Sequence, residues 1–261
     1  MRKRNLYLDI VFSALGGLLL LFIVLPLFSI LLGTTPQSLW LTLNDAEVLR
    51  SISLTFGAAA VATLLAIFTG VPLAFLLARR KFRGRRLVEA LVNLPIVIPH
   101  TAAGVALLLV FGRRGLLGQW LTPLGVTFTD NFSGIVVGML FVSLPFLVNL
   151  SRESFALVDE ELERVALIDG ASPWQAFLYV SLPQAWRGVL AGALMMWARG
   201  ISEFGAVVIL AYHPKIVPVL VFERFEGFGL VAAQPVAALL ILIALAVFVF
   251  LRLSLPKESA D

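Results

Sequence analysis

Long apolar runs alternate with short polar intervals along the chain, and each run is apolar on every face rather than at alternate positions. A hydrocarbon core of about 30 Å is crossed by roughly 17–25 residues of helix. Six runs reach that length, at 10–32, 52–78, 91–111, 133–150, 188–211 and 231–251. Lipid offers no partner to backbone N–H and C=O groups, so these runs are predicted as helices. Membrane strands would show short segments of alternating polarity instead. The first run, from Ile10 to Leu32, is uncharged for 23 residues and follows Arg2-Lys3-Arg4. It is longer than a signal-peptide core of about 7–15 residues, and no small-residue cleavage site follows, so an uncleaved span is expected.

Composition agrees with this pattern. The chain of 261 residues is 60% hydrophobic and 14% charged, against about 25% charged in a soluble domain. With no cysteine, disulfides, thiolate metal sites and cysteine nucleophiles are excluded. A net charge of +4 does not point to nucleic acid, because the basic residues sort by membrane side. With the N-terminus inside, fourteen of the 20 Lys and Arg fall in inner segments and five in outer loops, with Arg199 inside a span. That asymmetry predicts two cytoplasmic termini. The run from Arg79 to Arg86 reads as a topology anchor, with lipid-headgroup binding as the alternative.

Proline falls within or beside several runs, at Pro72, Pro95, Pro99 and Pro145. A bent, tightly packed bundle is therefore expected, with hinges of a gate as the functional alternative to packing alone. Small residues cluster at Gly57–Ala60, at Ala102–Gly104, and at Ala191, Gly192, Ala193, Gly200 and Gly205. They place the second, third and fifth runs in the interior, and leave the Leu- and Phe-rich first and sixth against lipid. No internal repeat is visible.

One interval breaks the apolar pattern. Four acids occupy the five positions Asp159 to Glu163. Asp159 is an N-cap, and Glu160 and Glu161 suit a helix N-terminus. Leu162, Val165 and Ala166 share one face, and Gly170 supplies the stop. Ser172-Pro173-Trp174-Gln175 opens a second helix as a capping box with proline at its first position. Trp174, Phe177 and Leu178 form its apolar face, and Leu182-Pro183 ends it. The result is a pair of short amphipathic helices on the inner side. A pair resting on headgroups is one reading. Its polar face is acidic, which favours a protein partner.

This interval resembles the EAA loop of ATP-binding-cassette importer permeases. Glu163-Arg164-Val165-Ala166 fills the opening, Gly170 matches the glycine, and Val180-Ser181-Leu182-Pro183 matches the end. Arg164 and Val165 depart from the family's Glu-Ala. Asn93-Leu94-Pro95-Ile96-Val97-Ile98-Pro99-His100 and the stretch from Trp197 to Ala206 resemble the molybdate/tungstate permeases, with sulfate/thiosulfate permeases similar in the same places. The resemblance implies an all-α polytopic membrane protein with the type I importer permease fold. Six transmembrane helices, two cytoplasmic termini and a coupling helix pair between spans four and five go with it. The chain would be one permease domain over 1–261, with a core at 50–251 and a coupling loop at 151–187. The implied partners are a second copy of itself, two cytoplasmic ATP-binding subunits that carry ATP and Mg, an extracytoplasmic oxyanion-binding protein, and membrane lipid, but no nucleic acid. The implied coupling residues are Glu163, Arg164, Ala166, Asp169, Gly170, Ala171, Ser172, Leu182 and Pro183.

No G-x-x-x-x-G-K-[ST] phosphate loop occurs, so ATP hydrolysis by that route needs another subunit. The chain carries neither H-E-x-x-H nor G-x-S-x-G. His100 and His213 lack ligand spacing, and no metal, cofactor or catalytic residue is expected on this chain. Arg199 and Glu203 are the informative intramembrane charges. Arg199 falls about 18 Å along a helix from Arg187, close to the membrane midplane. Its spacing to Glu203 allows an i, i+4 pair. Charges at that depth face a bundle interior or a watery path. Two readings stand: a translocation path bordered by Pro99, His100, Thr101, Arg199, Ser202 and Glu203, or a self-neutralised pair that holds helices together.

Overall fold

The computed structural model describes residues 6–254, and among them every regular element is helical. Arg2, Lys3, Arg4 and Lys257, and with them both termini, lie outside the described residues. The chain divides into two compact units, one of residues 53–219 and one formed by the segments up to Ile52 and from Leu220.

In the smaller unit, α1 (Leu6–Leu32) exposes Leu, Ile and Phe along nearly its whole length, as a lipid-facing helix does. Thr35 caps α2 (Pro36–Leu43) by accepting from Ser38 N at 3.2 Å, with Pro36 in the first turn. Asp45 opens α3 (Ala46–Arg79) by accepting from Glu47 N at 2.9 Å. Two helices follow at the other end of the chain, α12 (Val217–Phe228) and α13 (Leu230–Ser254). Arg224 on α12 donates to Asp45 at 2.6 Å. That hydrogen bond, helped by the Glu47 N–H, holds the Asp45 carboxyl below the ordinary carboxylate range. Gln234 on α13 donates to the Ile30 carbonyl of α1 at 3.1 Å.

The larger unit holds the rest of α3, followed by α4 (Arg85–Val97), α5 (His100–Phe111) and the short α6 (Gly118–Leu121). Then come α7 (Phe132–Leu157), α8 (Glu160–Ile168), α9 (Pro173–Ala176), α10 (Leu182–Ile201) and α11 (Gly205–Leu210). Of the long apolar helices, α7 is the most deeply buried. Interior placement was expected for the second, third and fifth runs; the fourth, as α7, is the centre of the packing. Its Leu147, Val148 and Phe155 meet Ala74 and Leu77 of α3 and Val189, Ala193 and Met196 of α10 in one core. Gly188 and Gly192 let α10 approach closely: a Cβ on Gly192 would lie 3.1 Å from the Leu147 carbonyl oxygen. This is the small-x-x-x-small device of membrane helices. Gly104 does the same between α5 and α11, where a Cβ would lie 2.8 Å from Ile209 Cβ and 2.9 Å from the Ala206 carbonyl. Gly104→Val is expected to destabilise the protein by about 1–3 kcal/mol through overpacking, read as a lower melting temperature in detergent.

Two of the six expected spans are not single straight helices. The third is α4 plus α5, bent by 115° at Ile98-Pro99. Ile98 is extended at ψ 145, because the residue before a proline is pushed out of the α region. The fifth, expected over 188–211, is broken between α10 and α11. Ser202 leaves helical geometry at ψ 3, and Glu203 turns its carboxylate forward to cap α11. The other four expected spans are each one helix long and apolar enough to cross a membrane.

Candidate functional site

The break between α10 and α11 and the bend between α4 and α5 come together. Pro99 caps α5, so His100 is its first residue. Arg199 lies in the last turn of α10. Glu203, in the broken segment, is 0% exposed. Its Oε2 lies 2.9 Å from Arg199 Nη2 and 3.0 Å from His100 Nδ1, while its Oε1 accepts from Ala206 N at 2.8 Å. Arg199 Nη2 is also 3.1 Å from His100 Nε2. A guanidinium only donates. Arg199 Nη2 lies closer still to His100 Nδ1, at 2.8 Å, so the arginine reaches the imidazole and the carboxylate together. Ser202 accepts from Arg199 Nη1 at 3.2 Å. Ser202 and Thr101 are exposed at the rim.

Gly205 makes this assembly possible. A Cβ there would lie 2.7 Å from His100 Cβ and 3.1 Å from Thr101 N. Backbone stands in the way, so no side-chain rotation relieves the clash. Gly205→Val is expected to push α5 off α11 and separate His100 from Glu203, at a stability loss of about 1–3 kcal/mol. A fall in melting temperature in detergent would be the result.

The polar interval forms the hairpin read from sequence. Asp159 caps α8 by accepting from Glu161 N at 2.9 Å. Gly170 takes φ +95, and the helix closes with Ala171 N donating to Ala166 O at 3.0 Å and Gly170 N to Leu167 O at 3.2 Å. That is a complete Schellman stop. Ser172 and Gln175 exchange the two bonds of a capping box, at 2.8 and 3.3 Å. A single π turn, Phe177–Ser181, then leads into α10. Pro183 lacks the N–H that a regular helix would use there. Phe177 is buried against Phe75 and Phe155, and Trp174 leans on it from outside.

The faces of α8 differ from the simplest amphipathic reading. Glu163 points inward. It meets Arg79 Nη2 at 2.8 Å and accepts from Ser181 Oγ at 2.8 Å, and Arg79 also donates to the Val158 carbonyl. Leu162, Val165 and Ile168 face out, Ile168 being 83% exposed. Arg164, Asp169, Gly170, Ser172 and Pro183 are exposed, and Ala166, Ala171 and Leu182 are partly covered. Arg79 is only 7% exposed, so Glu163→Gln strands a buried cation. The expected cost is about 1–3 kcal/mol. It should appear as faster amide exchange over 159–181, with α7 unaffected.

Sequence reasoning missed several polar contacts. Glu89 accepts from Arg85 at 3.0 Å and from Arg152 at 3.1 Å. Asn149 donates to Asn93 at 2.6 Å. The spacing of Arg85, Glu89 and Asn93, each four apart on α4, was the available signal. The pairing of His100 with a cluster 99 positions away left none.

The description "binding-protein-dependent transport system inner membrane component" matches residues 70–255. The chain is 46% identical over 251 residues to the molybdate/tungstate transport system permease protein WtpB of Pyrococcus furiosus, covering 95% of this chain and 96% of that one. It is 33% identical over 252 residues to the probable sulfate transport system permease protein cysT of Zygnema circumcarinatum, covering 94% of this chain and 86% of that one. Among solved structures it is similar in fold to a chain of a bacterial alginate ABC transporter in complex with an alginate pentasaccharide-bound periplasmic protein. The TM-score is 0.74 at 16% identity, covering 95% of this chain and 93% of that one.

Proposed function

The chain belongs to the family of binding-protein-dependent transport system inner membrane components, and from that premise we propose that it is the permease subunit of an ATP-driven importer of molybdate and tungstate. The observation that carries the substrate is 46% identity over nearly the full length of a molybdate/tungstate permease, against 33% for a sulfate permease. The chain crosses the membrane six times, the bent α4–α5 pair and the broken α10–α11 pair each serving as one crossing. Both termini are cytoplasmic. It works as a homodimer with two cytoplasmic ATP-binding subunits, which hold ATP and Mg, and with an external oxyanion-binding protein.

The hairpin of α8 and α9 is the surface on which the ATP-binding subunit docks. Its exposed apolar face, Leu162, Val165 and Ile168, is what such a partner would cover. Glu163 fastens α8 to the end of α3 and to the π turn, so a pull on the hairpin is not lost in the loop. From Leu182 to Arg199, α10 is one continuous helix, about 26 Å long at the usual rise. Docking motions are thereby delivered to the Arg199–Glu203–His100 cluster. A conduit must not hold its ion tightly, since the ion has to leave. An arginine already matched by a carboxylate, with the Ser202 hydroxyl beside it, offers a dianion brief contacts rather than a trap.

Competition of molybdate, tungstate and sulfate for uptake into proteoliposomes of the whole complex tests the substrate. Molybdate and tungstate are expected to outcompete sulfate. A preference for sulfate would favour the sulfate/thiosulfate reading, which the 33% relative supports.

A further inference from the structure

Arg79-Arg80-Lys81-Phe82-Arg83-Gly84-Arg85-Arg86 carries six cations in eight residues. Two have an acidic partner: the buried Arg79 meets Glu163 and the Val158 carbonyl, and the part-exposed Arg85 meets Glu89. Among the described residues, no ion-pair partner stands beside Lys81, Arg83 or Arg86. Gly84, at φ +89, turns the loop back on itself. Lys81, Phe82, Arg83, Arg85 and Arg86 thereby line one open cavity of about 500 Å³ with no acidic residue in its wall. Arg79 is the last residue of α3, a helix long and apolar enough to cross a membrane. The cavity therefore opens where α3 leaves the hydrocarbon.

We propose that this cavity binds the phosphate headgroup of an anionic membrane phospholipid. Guanidinium groups match phosphate oxygens in a two-pronged geometry, and Lys81 adds a point charge. The half-exposed ring of Phe82 gives the glycerol and acyl end an apolar contact. Glu89 is matched by Arg85 and Arg152, so it does not neutralise the lining. The site needs only that α3 spans a bilayer and is independent of which ion is transported. Its loss and the failure of the transport reading are therefore separately visible.

The test is native mass spectrometry of the full chain in detergent with equimolar phosphatidylglycerol and phosphatidylcholine. The wild type is expected to retain phosphatidylglycerol. Lys81→Gln/Arg83→Gln/Arg86→Gln should lower that preference about a hundredfold, at about fivefold per cation near an anionic surface. A matched removal of charge elsewhere, Arg113→Gln/Arg114→Gln/Arg187→Gln, should leave it unchanged. Arg83→Gln alone, with about a fivefold loss expected, serves if the triple variant does not fold. Equal retention of the two lipids, or an equal loss in the matched control, would overturn the proposal. So would displacement of phosphatidylglycerol by inorganic phosphate at the same concentration, which would make the cavity a free-phosphate site. Loss of the ATP-binding subunit from the triple variant with lipid preference intact would overturn it too, assigning the surface to a protein.

Discussion

Glu203→Gln is expected to cut uptake by roughly ten- to a hundredfold while the protein still inserts and assembles. The carboxylate is fully buried and serves three partners: Arg199, His100 and the Ala206 N–H. Gln keeps the shape and can still accept from Ala206. It cannot match the Arg199 charge, and its amide N–H groups would face a guanidinium that only donates. Removing one partner of a buried pair costs about 3–5 kcal/mol. Arg199 is 22% exposed, so solvent recovers part of this and about 1–3 kcal/mol is the expected residue. The unmatched arginine also becomes a trap for a dianion. Binding of the oxyanion should tighten as its release slows. Proteoliposome uptake with single-turnover release checks this, and uptake at the wild-type rate would remove the cluster from the transport path.

Gly170→Val is expected to abolish co-purification of the ATP-binding subunit. Gly170 holds φ +95 at the end of α8, and a Cβ there would meet nothing within 4 Å. The obstacle is thus conformational rather than steric. A left-handed backbone costs an L residue about 1–2 kcal/mol, and a β-branched one is a true outlier there. The alternative is to undo the Schellman stop and swing α9 away from α8. Gly170→Asn separates the causes. Asn tolerates this conformation, so the hairpin should persist and the partner remain bound. If Val and Asn behaved alike, the turn would not be what presents the docking surface.

The hairpin was legible in the sequence because its signals are local. Asp159, Gly170, Ser172 and Gln175 each act within a few residues of themselves, and each takes the role its chemistry dictates. The Arg199–Glu203 pair was legible for the same reason. Less could be read where contacts span the chain. His100 joins the cluster across 99 positions, and Glu163 finds Arg79 across 84; among four neighbouring acids, nothing local marks the one that turns inward. The centrality of α7 was hidden by the solvent itself. Lipid and protein core are both apolar, so composition does not separate a helix facing one from a helix buried in the other. The bend at Pro99 was signalled by its proline. The break at Ser202–Phe204 was not: Glu203 stood out as a charge, but pairing with Arg199 accounted for it, and nothing local showed that its carboxylate would also accept from Ala206 N and start a new helix.

The central claim is that the α8–α9 hairpin carries the force of ATP binding into the membrane. The chain has no cysteine, so a single cysteine can be placed and labelled without background. Ile168, 83% exposed on the outer face of α8, is the position for it. Ile168→Cys bearing a maleimide–benzophenone should crosslink to the ATP-binding subunit when native membranes are illuminated, with a yield that changes on adding ATP. Illumination that yields no such product, from a complex that still takes up molybdate, would contradict the account.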